Sequence, residues 1–102
     1  MSELIKQDRN EGVLTLTLDR PDKLNALNNS LYTQLADRLL AADEDGSIGV
    51  IVLTGGTTCF TSGNDLADFL EHPPTHLDSP AFRLMNVVIH LQTPLIAAVC
   101  GA

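Results

Sequence analysis

The residues of this chain best suited to chemistry form one short polar run, Cys59-Phe60-Thr61-Ser62-Gly63-Asn64-Asp65-Leu66, which begins ten residues after Gly49 at the start of an apolar segment. An apolar strand that leads through a glycine-containing turn into a helix leaves backbone N–H groups without partners at the helix start. Such N–H groups bind anions. The run is therefore a candidate site at which main-chain donors hold a negatively charged group.

A second candidate segment lies upstream, Leu18-Asp19-Arg20-Pro21-Asp22-Lys23-Leu24-Asn25-Ala26-Leu27. It contains Arg20 and Lys23, two of only six basic residues in a chain whose net charge is −7. Phosphate backbones are bound by a surplus of Lys and Arg, so the overall charge argues against nucleic acid as a partner. The local basic pair still favours contact with a small anionic ligand.

Composition and residue spacing argue against a membrane-spanning, secreted, disulfide-rich or metal-binding protein. A chain of 102 residues, 44% hydrophobic, is long enough for one small globular domain with a modest core. Its longest apolar stretch, Pro94 to Ala102, is nine residues, far below the roughly 18 that a membrane span requires. The N-terminus lacks a secretory signal, so we expect a cytoplasmic location. Cys59 and Cys100 lack metal-site or disulfide-framework spacing, so we expect small reduced side chains and no metal site.

Apolar periodicity predicts the elements that must position the two segments. Leu4 to Arg9 and Val13 to Asp19 flank Asn10-Glu11-Gly12, and the second run alternates like a half-buried strand, so the two predict a β-hairpin. Apolar residues spaced by three and four predict an amphipathic helix from about Ser30 to Glu44. We expect Asn28, Asn29 or Ser30 to be its N-cap and Gly46 to stop it.

The residue pattern in the second half of the chain predicts two further strands and two further helices. Gly49 to Gly55 reads as a parallel strand buried on both faces. A short helix over Asp65 to Glu71, a helix over Ser79 to Gln92 and a buried strand over Leu95 to Cys100 follow. This order indicates an α/β layered fold with repeating units and no domain linker. Because the last predicted strand is apolar up to Ala102, we expect the N-terminal part of a longer enzyme or a truncated product.

Four blocks of the chain, taken in order, resemble the enoyl-CoA hydratase/isomerase family, the crotonase superfamily. They are LTLDRPDKLNAL from Leu16, VIVLTG from Val50, FTSGNDL from Phe60 and PLIAAVCGA from Pro94. Asn64, where many hydratases carry alanine, makes the third block similar to peroxisomal-type Δ3,Δ2-enoyl-CoA isomerases. The resemblance implies a fold of repeated ββα units, with residues 1–102 as the N-terminal part of a single domain.

The resemblance also implies an acyl-CoA thioester substrate, no cofactor apart from that coenzyme A, and a homo-trimer or hexamer as the full-length protein. Negative charge develops on the thioester oxygen in an enolate-like state, and two preorganised N–H donors stabilise it. One donor in the family is the backbone N–H of the residue after the Ser-Gly pair, which is Asn64 here. The second donor and the catalytic carboxylates would lie beyond Ala102, so we expect these 102 residues to be inactive alone.

Substrate contacts follow from the same resemblance. It places Lys23 near the CoA phosphates, main-chain groups of Ala26 and Leu27 near the adenine or pantetheine, and the loop Ser62, Gly63, Asn64, Asp65 and Leu66 around the thioester. Leu24 and Leu27 are expected to belong to the core. The plainer alternatives are that Ser62 to Asp65 is only a polar turn capping a helix, and that Pro21 ends a strand while Asn25 caps the next helix.

Two other functions remain open at this point. The chain could be a catalytically dead binding or assembly module that keeps the loop as scaffold. It could also be a nucleotide-binding half-domain using Gly55-Gly56, although it lacks both the GxGxxG and GxxxxGK[ST] patterns. The coding frame past Ala102 separates enzyme from module, since an enzyme requires a glycine-rich continuation and later Glu or Asp residues.

Overall fold

The computed structural model describes residues 4–56, 60, 61, 63 and 79–99. These residues form a four-stranded sheet and two helices. The strands are β1 (Ile5–Asn10), β2 (Val13–Leu18), β3 (Val50–Thr54) and β4 (Leu95–Ala98). The helices are α1 (Asn29–Glu44) and α2 (Pro80–His90), and a short 3-10 helix covers Pro21–Lys23.

The sheet has the strand order β1-β2-β3-β4. β1 and β2 are antiparallel and form the predicted hairpin, whose turn places Glu11 at a φ of 57°. β2, β3 and β4 are parallel neighbours. Parallel neighbours need a long crossover, and α1 occupies the connection from β2 to β3. The predicted α/β class and the parallel β3 are therefore confirmed.

Helix α1 forms where its apolar spacing predicts it and covers one face of the sheet. Asn28 is the N-cap, and its side-chain oxygen accepts a hydrogen bond from the Leu31 N–H at 2.8 Å. The alternating residues of β2 point Leu14, Leu16 and Leu18 toward the core. The buried apolar cluster comprises Ile5, Leu14, Leu16, Leu18, Leu31, Leu35, Ala36, Leu39, Ala42, Ile51 and Val87.

The acidic end of α1 has a structural explanation. Carboxylates are unfavourable near the negative end of a helix dipole, yet Asp43 and Asp45 both lie there. Asp43 accepts hydrogen bonds from the Thr93 hydroxyl at 2.8 Å and from the Thr93 and Gln92 N–H groups. Asp45 accepts from Ser47 and pairs with Arg9 at 3.3 Å. The carboxylates therefore fasten α1 to the segment before β4 and to the β-hairpin.

The strands of the second half are less covered than the sequence pattern predicts. In β3 only Ile51 is buried, and the other four residues are half-buried. The expectation of a buried last strand is wrong for Leu95–Ala98, since Ile96 is 54% exposed. β4 lies at the edge of the sheet that the described residues form, and three of its four residues are exposed.

Helix α2 begins after its N-cap Ser79 and ends at His90, two residues before the predicted end, because Leu91 already has an extended backbone. It packs against α1 through Val87, whereas Met85, Val88 and Ile89 are exposed. The predicted helix Asp65 to Glu71 and both cysteines lie outside the described residues. Neither α1 nor α2 is long and apolar enough to cross a membrane.

Candidate active site

The two candidate segments of the sequence meet at one edge of the sheet. β2 and β3 are parallel, with Thr17 opposite Thr54, so the segments that follow them leave the sheet on the same side. We call residues 19–28 the β2 loop and the described residues that follow β3, namely Gly55, Gly56, Phe60, Thr61 and Gly63, the β3 loop. In α/β sheets, ligands bind outside the carboxyl ends of parallel strands. The topology thus brings both segments to the place where a ligand site is expected.

The β2 loop has a tightly determined backbone. Pro21 opens the 3-10 helix, and Leu24 and Asn25 then adopt left-handed conformations with φ of 51° and 56°. The Lys23 and Asn25 N–H groups donate to the Arg20 carbonyl at 3.1 and 2.8 Å. Left-handed conformations are rare for residues with a Cβ and concentrate at functional sites. The β2 loop is therefore a compact segment held by its own backbone hydrogen bonds.

Asn25 is the residue that joins the β2 loop to the β3 loop. It is buried, with 4% of its surface exposed. Its Oδ1 accepts the Arg20 N–H at 2.7 Å, and its Nδ2 donates to the Gly55 and Phe60 carbonyls, each at 3.3 Å. A carboxamide is suited to this position because it offers both an acceptor and donors on one short side chain.

Thr61 and Gly63 complete the junction from the β3 side. The Thr61 hydroxyl donates to the Asn25 carbonyl at 2.6 Å and accepts the Gly63 N–H at 3.1 Å. The Leu27 N–H donates to the Gly63 carbonyl at 2.7 Å. Gly63 has a φ of 96°, which residues with a Cβ rarely adopt. Both the N–H and the carbonyl of Gly63 are thus held by hydrogen bonds, to Thr61 and Leu27 respectively.

The structure places four predicted residues around this junction. Lys23 is exposed at the end of the 3-10 helix, and Ala26, Leu27 and Gly63 are half-buried beside the junction. The Ala26 N–H donates to the Lys23 carbonyl at 3.0 Å, so the Ala26 and Leu27 amides both have partners within the protein. Ser62, Asn64, Asp65 and Leu66 lie outside the described residues.

Several local expectations need correction. Leu24 is not a core residue, because its left-handed turn leaves it 61% exposed. Leu27 does pack against the core. Asn28, not Asn25, caps α1, and β2 ends at Leu18, before Pro21. Arg20 directs a guanidinium N–H to the Ala26 carbonyl at 2.7 Å, so it supports the loop backbone.

The predictions from the sequence did not include Asn25 as the residue that joins the two loops. A signal was present, since Asn is among the few side chains that tolerate a left-handed backbone. As for metals, the described residues contain no group of three or more His, Cys, Asp or Glu side chains able to hold an ion. The site is defined by main-chain donors and carbonyls.

The family model for enoyl-CoA hydratase/isomerase matches residues 8–102 of this chain. Because this match extends over nearly the whole chain, the chain belongs to the enoyl-CoA hydratase/isomerase family. The predicted family and its crotonase-type fold are therefore confirmed.

Individual relatives agree with the family. The chain is 44% identical over 102 residues to 2,3-dehydroadipyl-CoA hydratase of Escherichia coli, an alignment that covers 99% of this chain and 40% of that protein. It is 35% identical over 98 residues to human enoyl-CoA delta isomerase 2, covering 89% of this chain and 25% of that protein. The chain thus spans well under half the length of either relative.

A solved structure shares the fold closely. Pseudomonas aeruginosa OdaA superimposes with a TM-score of 0.93 at 51% sequence identity. The superposition covers 98% of this chain and 40% of that one. The relatives include both a hydratase and an isomerase.

Proposed function

We propose that residues 1–102 form the first part of a single catalytic domain that acts on acyl-CoA thioesters as a hydratase or isomerase. The reaction would pass through an enolate whose oxygen is held by main-chain N–H donors. The observation that carries this proposal is the 2.7 Å hydrogen bond from the Leu27 N–H to the Gly63 carbonyl. It joins the two loops and fixes the peptide group on which the predicted donor depends.

The peptide bond after Gly63 is planar, which relates the direction of the Gly63 carbonyl to that of the N–H that follows it. In a trans peptide the C=O of one residue and the N–H of the next lie in one plane and point in opposite directions. Leu27 holds the Gly63 carbonyl, so the N–H that follows Gly63 would be directed away from the β2 loop. That N–H belongs to Asn64. Because the donor is a main-chain group, the Asn64 side chain is not required for it.

The proposed chemistry needs this donor at the moment when charge develops. Removal of a proton next to a thioester carbonyl, or addition of water to a conjugated enoyl group, moves negative charge onto the thioester oxygen. One preorganised donor of this kind contributes about 10²–10³ in rate. The thioester itself accepts the electron pair, so we expect no cofactor besides the coenzyme A of the substrate.

Substrate binding would draw on both loops. The exposed Lys23 ammonium is suited to the CoA phosphates, and Ala26 and Leu27 would line the path of the pantetheine or adenine. Ser62, Gly63, Asp65 and Leu66 would surround the thioester. The proposal also includes a homo-trimer or hexamer in the cytoplasm. The hydratase and isomerase names of the relatives support an acyl-CoA substrate.

The test is an assay of the full-length protein on a trans-2-enoyl-CoA and on a 3-enoyl-CoA. Hydration removes the near-ultraviolet absorbance of the conjugated enoyl thioester, and isomerisation of the 3-enoyl substrate creates it. We expect turnover of at least one substrate, and none above buffer by the isolated 1–102 polypeptide. Binding of acyl-CoA without turnover by the full-length protein would instead support the catalytically dead module.

A further inference from the structure

The Asn25 carboxamide occupies a position that neither packing nor helix capping explains. A buried polar side chain is costly unless its hydrogen bonds are made. Asn25 makes such bonds to Arg20 in its own loop and to Gly55 and Phe60 in the other. A residue needed only to fill space here would be apolar. The bonds instead tie the start of the β2 loop to Gly55 and to Phe60, the residue before Thr61.

The main chain of Asn25 extends the same connection to Gly63. The Asn25 carbonyl accepts the Thr61 hydroxyl, and the Thr61 oxygen accepts the Gly63 N–H. Two residues after Asn25, the Leu27 N–H holds the Gly63 carbonyl. Both peptide groups that flank Gly63 are therefore anchored, directly or through Thr61, to the Asn25–Leu27 segment.

We infer that Asn25 is a positioning residue for the oxyanion donor that follows Gly63. This inference rests on the proposed function. The carboxamide sets the separation of the β2 and β3 loops, and Thr61 transmits that separation to Gly63. The loop that carries Lys23 and the loop that carries the donor then move as one unit. Small misplacements of such groups have large kinetic effects.

The decisive variant is Asn25→Gly in the full-length protein. Glycine adopts the left-handed backbone at least as readily as Asn, so the change removes the side-chain bonds without forcing a new backbone. We expect kcat to fall about 10- to 100-fold. This is less than the loss of about 10²–10³ that follows removal of a whole donor, because the variant would misplace the donor without removing it. We expect KM to stay within about threefold, because the donor that Asn25 positions would act on charge that develops only in the transition state.

Asn25→Asp and Glu11→Gly sharpen the comparison. Aspartate keeps an oxygen for the Arg20 N–H but faces the Gly55 and Phe60 carbonyls with an acceptor, so its kcat should be no higher than that of Asn25→Gly. Glu11 also has a left-handed backbone, at a φ of 57°, in the exposed β1–β2 turn. Glu11→Gly should therefore leave kcat unchanged and controls for the added glycine.

Thr61→Val provides an independent test that does not depend on Asn25 variants folding. Valine has nearly the shape of threonine but removes the hydroxyl between the Asn25 carbonyl and the Gly63 N–H. We expect kcat to fall about fivefold or more, again with little change in KM. Folded Asn25→Gly and Thr61→Val proteins whose kcat lies within twofold of wild type would overturn the inference. A wild-type protein inactive on every acyl-CoA would instead refute the proposed function.

Discussion

Replacing Gly63 with alanine tests the backbone geometry on which the proposed donor depends. An added Cβ would meet no heavy atom within 4 Å, so the substitution creates no clash. The cost is conformational, because a φ of 96° lies about 40° beyond the centre of the left-handed region open to residues with a Cβ. Holding alanine there costs about 1–3 kcal/mol.

This strain can lower either the free energy of unfolding or kcat, and both are measurable. If the backbone stays in place, Gly63→Ala lowers the free energy of unfolding by about 1–3 kcal/mol. If the backbone relaxes, the Gly63 carbonyl leaves the Leu27 N–H and the next N–H turns with it. Since about 1.4 kcal/mol corresponds to a factor of ten in rate, we expect kcat to fall about 10- to 100-fold.

Gly56→Ala is the matched control. Gly56 has a φ of 83° and also no heavy atom within 4 Å of an added Cβ. It therefore imposes comparable strain outside the peptide group that follows Gly63, although beside the Gly55 carbonyl that Asn25 holds. The assay compares kcat and urea unfolding of both variants in the full-length protein. Gly56→Ala should lose comparable stability but clearly less kcat than Gly63→Ala. Equal losses of kcat in the two variants, or wild-type kcat in folded Gly63→Ala, would refute the reasoning.

Three further changes test other parts of the structure. Lys23→Gln should raise KM for acyl-CoA about three- to tenfold at low salt, and the effect should shrink as salt screens the phosphates. Asp43→Asn should lower stability at neutral pH, because the Thr93 hydroxyl and N–H, with Gln92, hold the pKa of the carboxyl below its ordinary value. Leu39→Ala should cost about 2–5 kcal/mol of unfolding free energy by urea titration, since Leu39 is fully buried.

The control for Lys23 is Lys6→Gln, since Lys6 lies 3.7 Å from Asp19 in a surface pair. An equal rise in KM for both would contradict phosphate binding by Lys23. The pKa of Asp43 is lower in the folded than in the unfolded protein. Its carboxylate therefore stabilises the folded state at pH values above the unfolded-state pKa of about 4, and this stabilisation is lost as the pH falls through the folded-state pKa. The wild-type advantage over Asp43→Asn should therefore vanish in acid; a constant difference would contradict it. A Leu39→Ala loss below about 1 kcal/mol would contradict close packing there.

Local patterns in the sequence predict much of this fold. The alternation in β2 places Leu14, Leu16 and Leu18 on one face, and the spacing of α1 predicts the helix that covers them. Both signals are strong because each element buries one face against the other. The apolar run of β3 predicts a parallel strand, whereas its pairing with β2, and with it the edge where the two loops meet, is seen only in the structure.

Other features depend on contacts between distant residues. The exposure of β4 cannot be predicted from its apolar sequence. An apolar run indicates that a strand could be buried, but not whether another element covers it. The left-handed pair Leu24-Asn25 is set by hydrogen bonds to Arg20, Gly55 and Phe60. Sequence spacing places Asn25 in a loop but carries no information on partners 30 and 35 residues away.

In the proposed mechanism the main-chain N–H of residue 64 stabilises the enolate oxygen. The most direct measurement compares kcat of full-length Asn64→Ala with that of a protein carrying the corresponding α-hydroxy acid at position 64, which replaces this N–H with an ester oxygen. We expect Asn64→Ala to remain within about threefold of wild type and the ester to lose about 10²–10³ in kcat. An ester protein as active as Asn64→Ala would contradict the claim.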